Sequence, residues 1–249
     1  MLQTRNRKRY PAKGGGRATR RHRKHLKPQY STGRPHKCQC DLYCHRTAVA
    51  GQAFCKYHLK RCTTSSPLSG WEPDYDPNFW NYKMSLRETH NCFSYAMNIL
   101  DRLQMRKCRK KGCNVPFHQP GAYSGYRPFS DERSKTCPNM VARILGDNNN
   151  LTMTEFGSAC PSGTSKIALV LDESDDYHYL RQDSNGFWSH KPGSTKIKNV
   201  DAYGHMIWNP QLANYNYNEA GNSTLNYNVF CSYFCVPRNV KLHLAIDSY

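Results

Sequence analysis

The spacing of hydrophobic residues changes along the second half of the chain. Residues 166–171 form an almost continuous apolar run, which is typical of a strand buried on both faces. Two further β-rich segments follow at 177–181 and 187–190, each after a turn rich in Asp, Asn, Ser or Gly. This pattern predicts an antiparallel meander, and a last strand is expected at 229–236.

A helical period precedes these strands. Apolar residues recur at the three- and four-residue spacing of a buried helix face, at Phe93, Ala96, Met97, Leu100 and Leu103. With Asn91 as a suitable N-cap, the pattern predicts a helix over 92–103. A shorter helix is expected over 137–145, ended by Gly146. The predicted fold class is α+β, with a helix packed on an antiparallel sheet.

The N-terminal segment lacks any such period. Residues 1–37 hold 13 of the 36 Lys and Arg residues, and the first carboxylate of the chain is Asp41. A segment so polar and charged is predicted to be a disordered arm. Residues 5–37 are expected to bind a polyanion, either DNA or RNA or an acidic protein surface, because each neutralised phosphate releases a counterion.

Membrane and secretory signals are not evident in the sequence. The longest aliphatic run is 167–171, well short of the roughly 20 residues of a spanning helix. The N-terminus is basic and no apolar run follows it, so we expect no secretion signal and an intracellular protein. In that compartment, the 12 cysteines favour metal and thiol chemistry over disulfides.

Residues 38–62 are predicted to form a small zinc module. Two pairs of close ligands flank a spacer, in the order Cys40-x3-Cys44-x10-Cys55-x2-His58. Four such ligands surround one tetrahedral Zn²⁺, and the metal supplies the folding energy that so small a core lacks. The expected site is structural, since all four positions are filled. Cys38 and Cys62 compete for ligand places, and a disulfide knot is the alternative.

A Ser-, Pro- and Gly-rich stretch at 63–78 is expected to link this module to the main domain at 79–249. A cysteine-rich loop region inside that domain could hold a second metal through Cys108, Cys113 and His118, with Cys137 as fourth ligand. Disulfides or buried thiols explain these residues equally well. The same alternatives stay open for a further set of cysteines: Cys160, Cys231 and Cys235.

Three residues of the main domain could carry thiol chemistry. Cys92 is expected in the first turn of a helix, where free N–H groups and the helix dipole lower a thiol pKa. His178 and His190 lie on neighbouring predicted strands, so one imidazole could accept the thiol proton while the other orients it. Asp201 competes with His190 for the orienting role, and His118 competes with His178 as base.

The stretches NCFSYAMN (91–98) and YHYLRQDSNGFWSH (177–190) resemble the papain-like superfamily, most nearly the NlpC-type cell-wall endopeptidases. The resemblance implies a papain-like fold, with Cys92 as nucleophile, His178 as general base and His190 as orienting residue. The chain departs from that pattern, because NlpC-type enzymes usually have Asp-Cys at the nucleophile and lack the long cysteine-rich insertion at 107–164.

Several short segments also resemble those of a group of proteins from large double-stranded DNA viruses: HNCFSYAMN, FHQPG, KTCP, RQDSNGFWSHKPG and NVDA. That resemblance implies a virus-encoded protein carried in the particle. The leading expectation is therefore an assembly or virion-associated structural protein in contact with other proteins of a larger assembly. The alternative is an active cysteine hydrolase that cleaves an amide or ester bond through Cys92, His178 and His190.

Overall fold

A computed structural model describes residues 37–40, 44–49, 52–59, 62, 65–111, 113–129 and 135–247. The predicted basic arm lies outside these residues except for Lys37. The helices are α1 (Pro77–Tyr82), α2 (Met84–Thr89), α3 (Cys92–Ala96), α4 (Arg102–Lys111) and α5 (Cys137–Asp147). The strands are β1 (His118–Gln119), β2 (Thr152–Thr154), β3 (Thr164–Asp172), β4 (Asp176–Gln182), β5 (Trp188–His190), β6 (Val229–Pro237) and β7 (Ala245–Ile246).

The main sheet has five antiparallel strands in the order β2-β6-β3-β4-β5. The meander β3-β4-β5 follows the chain, as predicted, whereas β6 returns to pair with the other side of β3. A separate two-stranded sheet joins β1 to β7. The described part of the chain is thus a mixture of helices and antiparallel sheet, which confirms the α+β class.

Apolar residues cover both faces of this sheet. On one face, α3 and α5 pack over Ile167, Leu169 and Tyr179. The opposite face packs against the segment that leads back from β5 to β6, with Trp188 and Tyr215 among the buried residues. Strand β3 is buried on both faces from Ser165 onwards, as its continuous apolar run requires.

The helix predicted over 92–103 is interrupted. Helix α3 ends at Ala96, and Asn98 has a φ of 57°, a left-handed conformation that cannot continue a helix. A new helix then begins after Asp101, whose carboxylate accepts hydrogen bonds from the N–H groups at the start of α4. The prediction was wrong because the apolar period continues through the break, with Leu103 left exposed.

Helix α5 also runs past its predicted end. It continues through Gly146 to Asp147, whose carboxylate accepts from the N–H groups of Gly121 and Ser124. A Cβ at position 146 would lie 3.0 Å from Ser124 Oγ. This glycine therefore serves a close helix–loop contact and does not end the helix.

The cysteine-rich module packs on the main domain. The side chain of Gln39 donates to the carbonyl of Met206 and accepts from the N–H groups of Trp208 and Asn209, and it is buried. Phe54 packs edge-on against Trp208, with ring centroids 5.2 Å apart. The segment predicted as a linker also contacts the sheet, since Ser66 accepts a hydrogen bond from Lys166.

Disulfides join distant parts of the main domain. Cys137 at the start of α5 is bonded to Cys231, and Cys160 is bonded to Cys235. Both bonds anchor strand β6, which reaches its place in the sheet only after a long return segment. Separately, none of the helices in the described residues is long and apolar enough to cross a bilayer.

Candidate functional site

The N-terminus of α3 is fixed by a capping box. Asn91 Oδ1 accepts from the Ser94 N–H at 3.1 Å, and Ser94 Oγ accepts from the Asn91 N–H at 3.0 Å. The Asn91 amide also donates to the carbonyl of His118 at 2.9 Å, which ties the helix start to β1. Cys92 is therefore held as the first residue of the helix, as predicted.

Cys92 lies at a free edge of the main sheet. Strand β5 ends at His190, which lies opposite Leu180 of β4. The N–H and carbonyl of His190 point away from β4, because both form 2.8 Å hydrogen bonds with the main chain of Lys198. The pair Leu180–His190 is therefore a non-hydrogen-bonded pair of the two strands. By antiparallel alternation, the carbonyl of Tyr177 then points past the end of β5. The Cys92 Sγ occupies that place, 3.9 Å from the Tyr177 carbonyl oxygen.

The two predicted histidines form a hydrogen-bonded pair. His178 Nε2 and His190 Nδ1 are 2.7 Å apart, and His190 Nε2 donates to the Val200 carbonyl at 2.9 Å. A neutral imidazole has one donor and one acceptor nitrogen. The carbonyl of Val200 fixes the proton of His190 on Nε2, so His190 Nδ1 accepts from His178 Nε2. This leaves Nδ1 of His178 as an unprotonated acceptor, the form that a general base requires.

Cys92 and His178 line the same cavity, which has a volume of about 300 Å³. Asn91, Gln119 and Gly193 contribute to its wall. His190 lies behind His178 and is fully buried. The fold therefore brings the three predicted residues to one edge of the sheet, where a cavity large enough for a small acyl group lies. Cys92 packs with Tyr177 and Tyr179 on the face of the sheet that α3 covers. By strand alternation the side chain of His178 lies on the opposite face, against Tyr227, and among the described residues no hydrogen bond joins it to Cys92.

Burial dominates the ionisation of these groups. It raises the pKa of the Cys92 thiol to about 12, and the neighbouring carboxylate of Asp176 acts in the same direction. Burial lowers the pKa of His190 to about 4 and that of His178 well below its usual value, where the paired His190 adds to the effect. The resting site thus holds a neutral thiol and two neutral imidazoles, contrary to the expected thiolate.

The two competing residues have other partners. The carboxylate of Asp201 accepts from the N–H groups of Tyr203, His205 and Asn214, and so organises the loop after Val200. His118 Nε2 lies 3.1 Å from the carboxylate of Asp101. Neither residue is recorded in contact with His178 among the described residues.

A second cluster of side chains could hold a metal ion. The ligand atoms of Cys38, Cys44, Cys55 and His58 all lie within 4.8 Å of one another. The Sγ atoms of Cys44 and Cys55 are 4.0 Å apart, and Cys38 Sγ is 3.3 Å from His58 Nδ1. Three thiols and one imidazole are a donor set that suits Zn²⁺.

The ligand set corrects one predicted residue. Cys40 is bonded to Cys62 in a disulfide, so the fourth member of the cluster is Cys38. Cys38 was already a candidate in the sequence analysis, but the spacing along the chain does not distinguish it from Cys40. The disulfide to Cys62 is what removes Cys40 from the ligand set, and Gln39 between the two cysteines is buried against the main domain.

Of the alternatives for the cysteine-rich loop region, the structure has disulfides and not a second metal site. Cys108 is bonded to Cys113 and Cys137 to Cys231, so these sulfurs are not available as ligands. All 12 cysteines are thereby accounted for: eight form disulfides, three belong to the metal cluster, and Cys92 remains. Cys92 is the one thiol of the main domain outside a disulfide.

One buried charge near Cys92 was missed by the sequence reasoning. Lys191 follows His190 directly and is fully buried, although lysine is rarely buried without a partner. In the sequence it precedes Pro192 and Gly193, which is typical of an exposed turn. No local pattern distinguishes it from a surface lysine.

A relative covers much of the chain. Insoluble matrix shell protein 1 of Ruditapes philippinarum is 32% identical over 140 residues, which are 56% of this chain and 79% of that protein. The chain belongs to the family of that protein. No family model and no solved structure matches the chain. The expected resemblance to papain-like enzymes and to viral proteins therefore stays a prediction.

The metal cluster predicts opposite effects for two neighbouring substitutions. Cys38→Ser removes a ligand, so we expect the affinity for Zn²⁺ or Co²⁺ to fall by at least about tenfold. Loss of a residue that only hydrogen-bonds to a metal ligand already lowers metal affinity by about that factor. Cys40→Ser should leave the affinity nearly unchanged. Titration with Co²⁺, followed through its thiolate absorption, measures both. An equal loss in the two variants would restore Cys40 to the ligand set.

The neutral histidine pair predicts a loss of stability in acid. The unfolded imidazoles titrate near pH 6.5, whereas the folded ones have lowered pKa values, so protonation favours the unfolded chain. The stabilisation is present above about pH 6.5 and is lost as the pH falls towards the folded pKa values. Urea unfolding at pH 7.5 and 4.5 should show a smaller loss in His178→Gln/His190→Asn than in wild type. Equal losses would contradict the neutral pair.

Proposed function

We propose that the main domain is a papain-like cysteine hydrolase or acyl transferase. One observation carries this proposal: Cys92, at the start of a helix, shares a cavity with His178, whose other nitrogen is bonded to His190. The substrate class is a peptide amide, thioester or ester whose acyl group fits that cavity.

In the proposed reaction, the proton of the Cys92 thiol passes to Nδ1 of His178 as the sulfur attacks the substrate carbonyl. His190 stabilises the imidazolium through the 2.7 Å bond. The imidazolium returns the proton to the leaving amine or alcohol, and a thioester remains on Cys92. Water or a second amine then attacks the thioester while His178 again accepts the proton. The bond between the acyl carbon and the Cys92 sulfur breaks, and His178 returns the proton to that sulfur. The Cys92 N–H, in the first turn of the helix, is a candidate oxyanion donor.

The hydrolase proposal predicts a burst of product from an activated ester. Wild type, loaded with zinc, should release p-nitrophenolate from p-nitrophenyl acetate while Cys92 becomes acetylated. Cys92→Ala should abolish the burst, and His178→Ala should slow acylation by about 10²–10⁴-fold, the usual contribution of a general base. Stopped-flow absorbance and peptide mass spectrometry are the measurements. A burst that persists in Cys92→Ala would refute the proposal.

We propose that the metal of the cysteine cluster is zinc and that its role is structural. The described cluster offers four protein ligands and no place for a substrate, which is typical of closed zinc sites. Burial raises the pKa of Cys38 to about 11, so metal binding has to displace a proton from that thiol. Zinc would stabilise the module and, through Gln39, its packing on the main domain.

A second candidate function is a component of an insoluble matrix. The related protein is named for such a matrix, and the first 37 residues carry 13 Lys and Arg without an acid. In this proposal, the arm binds an acidic polymer or an acidic protein surface. In the viral interpretation, that polymer is DNA or RNA. The four disulfides support an oxidising compartment rather than the intracellular location expected from the sequence.

Polyanion binding by the arm predicts a steep dependence on salt. Binding of the full chain to heparin or polyaspartate should weaken strongly between 50 and 200 mM NaCl, by roughly 10³–10⁵-fold if six to ten contacts form. A chain that begins at Lys37 should bind weakly at both salt concentrations. Fluorescence anisotropy with labelled polymer measures this. Equal binding by the two chains would assign the affinity to the folded body.

A further inference from the structure

A second cavity, here named the helical groove, lies between α1, α2 and α4. It has a volume of about 350 Å³ and is lined by four apolar and three basic side chains: Phe79, Leu86, Leu100, Met105, Lys83, Arg102 and Arg106. It shares no lining residue with the cavity of Cys92. The helical groove is therefore a separate feature of the main domain, which the thiol chemistry does not use.

The apolar side chains of the groove are open to solvent on its walls and packed at its floor. Phe79 is 48% exposed and Leu100 is 41% exposed, whereas Leu86 is only 1% exposed. Leu86 and Met105 belong to the small core around Trp80. Three further apolar residues of the same helices are exposed: Tyr82, Met84 and Leu103. A concave apolar surface of this kind indicates a partner whose own apolar side chains enter it.

The basic side chains of the groove have no acidic partner within the described part of the chain. Lys83, Arg102 and Arg106 are exposed, and none of them forms an ion pair with a described residue. Helix α4 contains no acidic residue, and six of its ten residues are Lys or Arg. The groove thus combines an apolar floor with positive charge that is not neutralised.

The carboxylates of the neighbouring segments have other partners. Asp76 accepts a hydrogen bond from an N–H of α1 at 2.9 Å. Asp101 caps α4 and lies 3.1 Å from His118, and Glu88 is paired with Arg87 at 2.9 Å. No carboxylate of the described residues lines the groove. Negative charge at this place must therefore come from a bound partner.

We propose that the helical groove is a docking site for an acidic peptide segment of another protein, with bulky aliphatic or aromatic residues as its anchors. Such a segment places its apolar side chains over Leu86 and Met105, while its carboxylates meet the three cations of the rim. This inference does not depend on the proposed hydrolase activity.

Other occupants match the groove less well. The N-terminal residues 1–37 of this chain carry 13 Lys and Arg and no acid, so the rim would repel them. Single-stranded nucleic acid matches the charge, but its bases stack on aromatic faces, whereas Leu86, Leu100 and Met105 are aliphatic. An anionic bilayer meets protruding side chains and does not reach a floor as buried as Leu86.

The test begins with a random peptide library displayed on phage. The library is first depleted on the full chain carrying Leu100→Asp, which removes peptides that bind the basic arm or another surface. It is then selected on the zinc-loaded wild-type chain. Selected peptides should combine several Asp or Glu residues with apolar residues three or four positions apart. Selection of peptides without acidic residues, or of none that require the groove, would overturn the inference.

Affinity for a selected peptide, labelled with fluorescein, is measured by anisotropy. Leu100→Asp and the double variant Arg102→Glu/Arg106→Glu should each weaken binding by about tenfold or more, the effect of losing an anchor of an interface. Both variants change exposed residues, and circular dichroism checks their fold. Phe79→Ser, on the other wall, is a second apolar variant with the same expected direction.

The matched controls change exposed residues that do not line the groove. Met153→Asp adds the same charge at an exposed apolar residue of β2, and Lys196→Glu reverses an exposed cation. Neither should alter the affinity, and a loss equal to that of the groove variants would overturn the inference. Phosphatidylserine vesicles and single-stranded DNA are tested in parallel. If either of them loses as much binding in Leu100→Asp as the peptide does, the groove is not a peptide site.

Discussion

The pairing of β3 on both of its edges is the constraint on which the rest of the structure depends. This strand is buried on both faces and joins β4 to β6, so it separates two apolar cores. One core needs α3 and α5, and the other needs the long return segment before β6. Because β5 is only three residues long, β4 keeps a free edge, and the start of α3 reaches that edge. Cys92 and His178 therefore line one cavity where the sheet is incomplete.

Local patterns were sufficient to predict the four strands β3, β4, β5 and β6, whereas the short strands β1, β2 and β7 were not predicted. The apolar run at 166–171, the two polar turns after it and the position of Cys92 at a helix start all depend on near neighbours in the chain. The break at Asn98 and the choice of Cys38 over Cys40 do not. They depend on the left-handed backbone of Asn98 and on the disulfide between Cys40 and Cys62, and no spacing rule contains either feature.

The sign of the thiol pKa shift could not be predicted because two opposing effects differ in size. A helix N-terminus stabilises a nearby negative charge by roughly 0.3–1 kcal/mol, which is less than one pKa unit. Full burial can shift a pKa by about 3–5 units, so it prevails at Cys92. The depth of the helix start below the surface decided the outcome, and depth is a property of the packed chain. The burial of Lys191 is likewise a property of the packed chain, and its neighbours in the sequence do not predict it.

The contact of Gln39 with the main domain affects how a surface bound by the preceding residues would be placed relative to the cavity. It holds the module, and with it Lys37, in a fixed relation to the sheet. Any surface captured by the preceding residues is then tethered to the folded body instead of meeting it by free diffusion. If the proposed polyanion binding holds, such a linkage raises the effective concentration of groups on the same surface into the range of about 1 mM. The proposed reaction at the cavity would then need little intrinsic affinity for its substrate.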